Sequence, residues 1–127
     1  VQTCALPISF DISLLQISSE LKELISKVKE KRLTMEDMAG GTFTISNLGM
    51  YDVDIITPII NPPEAAILAI GSTRKETVVS EDDKIVVRLM VTLSLTADHA
   101  VMDGIDVMNF FRDLKEILKM PEKYLIE

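Results

Sequence analysis

From Ile85 to Leu95 every second residue is aliphatic: Ile85, Val87, Leu89, Val91, Leu93 and Leu95, with Arg88, Thr92, Ser94 and Thr96 on the intervening positions. In an extended chain, side chains two apart lie on the same face. This pattern therefore specifies a strand with one apolar face for a core and one polar face for solvent or a partner. Glu81-Asp82-Asp83 just upstream supplies a turn. Residues 75–97 consequently read as a β-hairpin with a long second arm.

The rest of the chain alternates helical and extended patterns. Leu14, Ile17, Leu21, Leu24, Ile25 and Val28 recur at three- and four-residue steps, which predicts a helix over 13–31 with an apolar stripe. The stripe lasts about two heptads, too short for a coiled-coil seam, so it reads as core packing. The lysines of its last turn suit the helix dipole. Thr34 opens a short turn, with Asp37 as its capping partner. Gly40-Gly41 breaks that element, and Thr42–Leu48 is β-branched and alternating, hence a strand. Residues 50–63 form an irregular connection punctuated by Pro58, Pro62 and Pro63. Ala65–Ile70 is continuously apolar, the signature of a strand buried on both faces. Residues 104–119 return to helical period through Ile105, Met108, Phe111, Leu114, Ile117 and Leu118, and Pro121 stops the helix.

Composition excludes several classes. The chain has 127 residues, enough for one small domain, and a net charge of −7. An acidic surface argues against nucleic-acid binding, which needs cations opposite phosphates. No apolar run is long enough to span a bilayer as a helix. The single cysteine, Cys4, cannot form an internal disulfide and fits a reducing compartment. One histidine and one cysteine far apart build no metal site.

That histidine, His99, follows the long strand and precedes Asp103-Gly104, which opens the second helix. An imidazole at a strand-to-helix junction is a candidate acid/base group. Taken alone, a single histidine in a small domain is more often structural. Asp103, just ahead of a helix, is placed to cap its first N–H groups.

His99-Ala100-Val101-Met102-Asp103-Gly104 resembles the His-x-x-x-Asp-Gly signature of coenzyme A-dependent acyltransferases. This signature is shared by the catalytic domains of the E2 components of 2-oxo acid dehydrogenase complexes and by chloramphenicol acetyltransferase. Gly40–Gly49, with Thr42-Phe43-Thr44-Ile45-Ser46-Asn47, and Thr57–Gly71, with Asn61-Pro62-Pro63-Glu64, are similar to E2 catalytic domains in the same order and at about the same spacing. The resemblance covers nearly all of 10–127. E2 chains usually carry Arg where this one has Ala100, whereas the chloramphenicol enzyme has Ala there.

The resemblance implies an α/β fold, a two-layer α+β sandwich in which a mixed β-sheet carries helices on one face. It is the chloramphenicol acetyltransferase-like fold in truncated form, because E2 catalytic domains are about twice this length and residues 9–127 match only their C-terminal part. The activity implied is transfer of an acyl group, foremost acetyl, from S-acyl-dihydrolipoyl-lysine to coenzyme A. A chloramphenicol-type O-acetyltransferase and a non-catalytic core-assembly fragment are the alternatives. Coenzyme A is then a substrate, the lipoyl group rides on a domain outside this chain, and no metal takes part. The implied partners are two further copies in a homotrimer that builds a larger core, the lipoyl domain, and the E1 and E3 components. The implied location is the bacterial cytoplasm or the mitochondrial matrix.

The resemblance also assigns roles. A free thiol ionises near 8.5, so thiolate is scarce at neutral pH. His99 is the general base that takes the thiol proton, an effect worth about 10²–10⁴-fold. Ser46 donates a hydrogen bond to the developing oxyanion, worth roughly 3–4 kcal/mol in a dry site. Asp103 holds the histidine-bearing loop, its usual basic partner lying in the missing half. Gly104 allows close loop packing. Asp98 matches the family but receives no task. The active site is a channel between subunits, one giving the histidine and its neighbour the serine.

Val1–Ile8 matches nothing in that pattern. It reads as the translation of a sequencing-adapter oligonucleotide, a leader foreign to the domain, in which case Cys4 carries no biology.

Overall fold

A computed structural model describes residues 2–4 and 13–124. Helix α1 runs Leu14–Lys29 and strand β2 runs Phe43–Asn47, with β1 being Gln2–Cys4. Then come β3 (Ala66–Ile70), β4 (Arg74–Val79), β5 (Ile85–Met90), β6 (Leu93–Ala97) and α2 (Gly104–Lys119).

Four strands form a mixed sheet in the order β1-β2-β3-β6, and β4 and β5 form a separate two-stranded ribbon. β2 and β3 are parallel, with Phe43 opposite Ala66 and Ser46 opposite Ala69. β6 is antiparallel to β3, with Ala97 opposite Ala66 and Leu93 opposite Ile70. The continuous apolar run of β3 is explained by its place between two strands: Ala66, Ile67, Leu68 and Ala69 are all buried.

The register sorts side chains onto two unlike faces. Thr44, Ser46, Ile67, Ala69, Ser94 and Thr96 share one, and Phe43, Ile45, Leu68, Leu93 and Leu95 share the other. α2 packs on part of the apolar face, where the Phe110 ring lies 5.9 Å from that of Phe43. The 50–63 connection covers part of the hydroxyl-bearing face. There Thr96 Oγ1 donates to the Pro58 carbonyl at 2.8 Å, and the Thr44 hydroxyl donates to the Glu64 carboxylate.

The long alternating run is not one strand. It breaks at Val91-Thr92, where β5 leaves the ribbon and β6 joins the main sheet. Period-two alternation continues smoothly through the break, so it could not reveal a change of sheet. Nor do Ile85, Val87 and Leu89 enter a core. They are 76%, 66% and 68% exposed, because the ribbon pairs only with its own partner strand, and of the three only Leu89 reaches the groove beside α2. Between β5, β6 and α2 lies an apolar groove of about 460 Å³ lined by Leu89, Val91, Leu93, Phe111, Leu114 and Leu118.

The helices are capped as their sequences dictate. Ser13 and Gln16 form a reciprocal capping box at α1. Thr34 and Asp37 do the same for the next turn. The Thr34 N–H and hydroxyl donate to Asp37 at 2.9 and 2.8 Å, and the Asp37 N–H donates back to Thr34 Oγ1 at 3.2 Å. Lys27 Nζ meets the same carboxylate at 2.8 Å. The Lys27 ammonium and the Thr34 donors hold the Asp37 carboxyl down at about 2. Gly40 takes the left-handed conformation that ends this segment, at φ 81°. The α1 stripe is only half covered: no residue of α1 is buried, and Leu14 and Val28 stand 59% and 56% exposed.

The leader assigned to Val1–Ile8 lies outside the described residues, except for Gln2–Cys4. Those three pair antiparallel with Asn47, Ser46 and Ile45 at the edge of the sheet. Such pairing is made by peptide groups, so a segment of any sequence can occupy an open strand edge.

Candidate active site

Ser46 sits one residue from the C-terminal end of β2, on the hydroxyl-bearing face and 7% exposed. Among the described residues no fully sealed side-chain polar atom lacks a partner, and the Ser46 hydroxyl has none there. Among the described residues, then, its Oγ is open to donate to a bound group. Just beyond it, Asn47 Oδ1 accepts the Gly49 N–H at 2.9 Å and turns the chain. The turn is held tightly against the start of the next connection, where a Cβ on Gly71 would come within 2.2 Å of the Asp54 carbonyl oxygen.

His99 stands exposed in the turn that joins β6 to α2. The turn is organised by the residue before it. The Asp98 N–H donates to the Ala65 carbonyl at 2.8 Å. Its own carbonyl accepts from Val101 and Met102 at 3.0 and 3.1 Å, and its Oδ1 accepts the Ala100 N–H at 2.9 Å. Asp103 then caps α2: Oδ1 accepts from Ile105 at 2.8 Å and from Asp106 at 3.0 Å, and Asp106 Oδ2 accepts the Asp103 N–H at 3.0 Å. Gly104 departs from expectation, because a Cβ there would meet nothing within 4 Å. Among the described residues, nothing packs closely against this glycine.

The three sequence-predicted residues are not all brought together. His99 and Asp103 share one turn, and Ser46 lies elsewhere. Ala97 is level with Phe43, His99 lies two residues beyond it, and Ser46 lies three residues the other way along β2. At about 3.3 Å per residue and two strand spacings of about 4.8 Å, serine and histidine are separated by roughly 15–20 Å within one chain.

Three positions without an assigned task prove to shape this region. Asp98 is one, and the signal was an Asp two residues before the N–H it accepts. Glu64 is another, a buried carboxylate bonded to the fully buried Thr44 just ahead of the carbonyl that anchors Asp98. The third is Arg74, whose guanidinium meets Asp52 at 2.9 Å and Asp54 at 2.5 Å and ties the loop after Ser46 to β4. Partners 20 and more residues apart leave no local sequence signal.

The family model for the catalytic domain of 2-oxoacid dehydrogenases acyltransferases matches residues 10–126. The chain belongs to that family. It is 39% identical over 114 residues, 90% of its length, to the dihydrolipoyllysine-residue acetyltransferase component of the pyruvate dehydrogenase complex of Rickettsia felis. It is 42% identical over 115 residues to the mitochondrial dihydrolipoyllysine-residue succinyltransferase component of the 2-oxoglutarate dehydrogenase complex of Saccharomyces cerevisiae. It spans 27% of the first of these proteins and 25% of the second. Among solved structures, the dihydrolipoamide acetyltransferase of Azotobacter vinelandii superposes with a TM-score of 0.83 at 35% identity, over 91% of this chain and 47% of that one. The cubic core of the pyruvate dehydrogenase multienzyme complex does so with the same score at 36% identity. The α/β fold expected from the resemblance is therefore the fold observed.

Proposed function

We propose that this chain is the C-terminal part of an E2 catalytic domain that transfers an acyl group from S-acyl-dihydrolipoyl-lysine to coenzyme A, within a homotrimer whose active sites lie between subunits. His99 takes the proton of the attacking coenzyme A thiol. Ser46 donates its hydroxyl to the thioester carbonyl oxygen as that atom gains charge. Asp103 fixes the start of α2 and with it the far end of the histidine turn. The lipoyl group supplies the thiol that carries the acyl unit and belongs to a domain outside this chain. E1 and E3 meet the protein through other domains. Residues 1–8 belong to the proposal as a leader foreign to the domain.

The observation that carries this reading is the strand register, which sets Ser46 and His99 at opposite ends of the sheet, by ideal strand spacing roughly 15–20 Å apart. Two groups some 15 Å or more apart cannot act on one carbonyl. They can do so only if each faces the complementary group of another copy. The Azotobacter enzyme adds support: a serine, a histidine and an asparagine are studied there for their role in the catalytic mechanism. The serine and histidine are 52 positions apart and the asparagine follows the histidine by four. Here Ser46 and His99 are 53 apart and Asp103 follows by four.

Acetyl is the acyl group we favour, on the likeness of Ser46-Asn47-Leu48-Gly49-Met50-Tyr51 to acetyl-transferring members. Relatives of both the acetyl and the succinyl kind match this chain equally well, so a comparison of acetyl- and succinyl-dihydrolipoamide as donors tests that choice directly. The shared site is tested by complementation in the full-length protein. His99→Ala and Ser46→Ala homotrimers should each lose two or more orders of magnitude in turnover. Refolding the two together should restore a measurable fraction, since some interfaces then hold both residues. Mixed trimers as inactive as either parent would sink the shared-site reading.

A further inference from the structure

We infer that Asp98 is a positioning residue for His99: its side-chain hydrogen bond to the Ala100 N–H sets the direction in which the imidazole is presented. The inference rests on the reading of His99 as the base.

Asp98 makes four hydrogen bonds, and they differ in what they control. The N–H to Ala65 and the carbonyl to Val101 and Met102 are main-chain bonds that form the turn and tie it to β3. Any residue but proline at position 98 can make them. The fourth runs from the Ala100 N–H to Asp98 Oδ1 at 2.9 Å, and only the side chain supplies it. The peptide unit that carries this N–H is the one that follows His99. Its orientation sets ψ of His99 and fixes the histidine Cα within the turn. His99 is exposed and has no side-chain partner among the described residues, so within them it is the backbone that aims it. Removing the carboxylate leaves the turn closed but lets that peptide rotate, and a displacement of about 1 Å in a reacting group can cost about 10²-fold in rate. The foundation beneath is rigid, since Ala65 follows the buried Glu64 that Thr44 holds.

The bond needs an acceptor at Oδ1, not a charge. Asn offers an acceptor at the same place, whereas Glu keeps the charge and carries its oxygens one methylene too far. In the full-length acyltransferase, Asp98→Asn should keep turnover within about threefold of the parent, while Asp98→Ala and Asp98→Glu should lose about 10- to 100-fold in kcat. The KM for coenzyme A should stay within about twofold in all three, with the assembled core unchanged by sedimentation. Parent-like turnover in Asp98→Ala would overturn the inference, and so would Glu retaining activity that Asn loses. Should Asp98→Ala fail to assemble, the Asn and Glu pair decides alone. His99→Ala is run alongside. If it is active, the base assignment itself has failed. If it is inactive while Asp98→Ala is normal, only the role of Asp98 has.

Discussion

Asp37 shows how much a single exposed turn can concentrate on one carboxylate. Lys27 and two donors from Thr34 converge on it, and its pKa lies at about 2 against an ordinary 3.8. A carboxyl whose folded pKa is depressed contributes stability above its unfolded pKa and loses it as pH falls through the folded one. Asp37→Asn should therefore lower the thermal midpoint at neutral pH. The gap to the parent should close between about pH 4 and pH 2, as both come to carry a neutral side chain. A gap that persists at pH 2 would place the effect in packing rather than charge. The aspartates of the histidine turn and of the first turn of α2 work differently. Asp98, Asp103 and Asp106 each accept main-chain N–H groups, and none of the three is ion-paired among the described residues.

Helix α2 depends on Asp103 for its first turn. An N-cap carboxylate replaced by Ala costs about 1 kcal/mol, whereas Asn caps about as well as Asp. Denaturant unfolding should show Asp103→Ala destabilised by about that amount and Asp103→Asn close to the parent. Equal losses in both would mean that charge, not the cap, is what the helix needs. The connection between β3 and β4 is packed more tightly than any cap. Gly71 lies under the Val53-Asp54 side of the loop that Arg74 clips down, and a methyl there would meet the Asp54 carbonyl at 2.2 Å. Backbone has to move to admit it, so Gly71→Ala should cost about 1–3 kcal/mol. A Gly71→Ala protein as stable as the parent would show that the loop yields without cost.

Among the described residues far more large apolar side chains stand exposed than are buried. Ile85, Val87 and Leu89 on the ribbon, Leu14 and Val28 on α1, and the groove beside α2 all lie open, while the buried apolar core among the described residues is confined to β3. Extended apolar patches of this kind mark surfaces that other chains cover. Residues 10–127 expressed alone should accordingly be inactive in acetyl transfer and sediment as oligomers or aggregates. A monodisperse, active monomer would contradict both the shared site and the expectation that 9–127 is part of a larger domain.

Local pattern was enough to place most of the elements. The apolar stripe marked α1, the continuous apolar run marked β3, Asp103 marked the start of α2, and the Thr34–Asp37 pair is made as expected. These features are legible because each is set by neighbours within a turn or by the two faces of one strand. The His99 and Asp103 pair was legible for the same reason, lying in one short segment. What the sequence could not decide was which strand joins which sheet, since alternation runs unbroken through Val91-Thr92. Nor could it decide whether an apolar face meets anything. Ile85 and Leu95 look alike in sequence, yet one faces open space and the other a helix-covered sheet. Arg74 with Asp52 and Asp54, and Thr44 with Glu64, were beyond reach as well. Long-range pairs are chosen by where the packed sheet brings their backbones, and that placement exists only once the chain has folded.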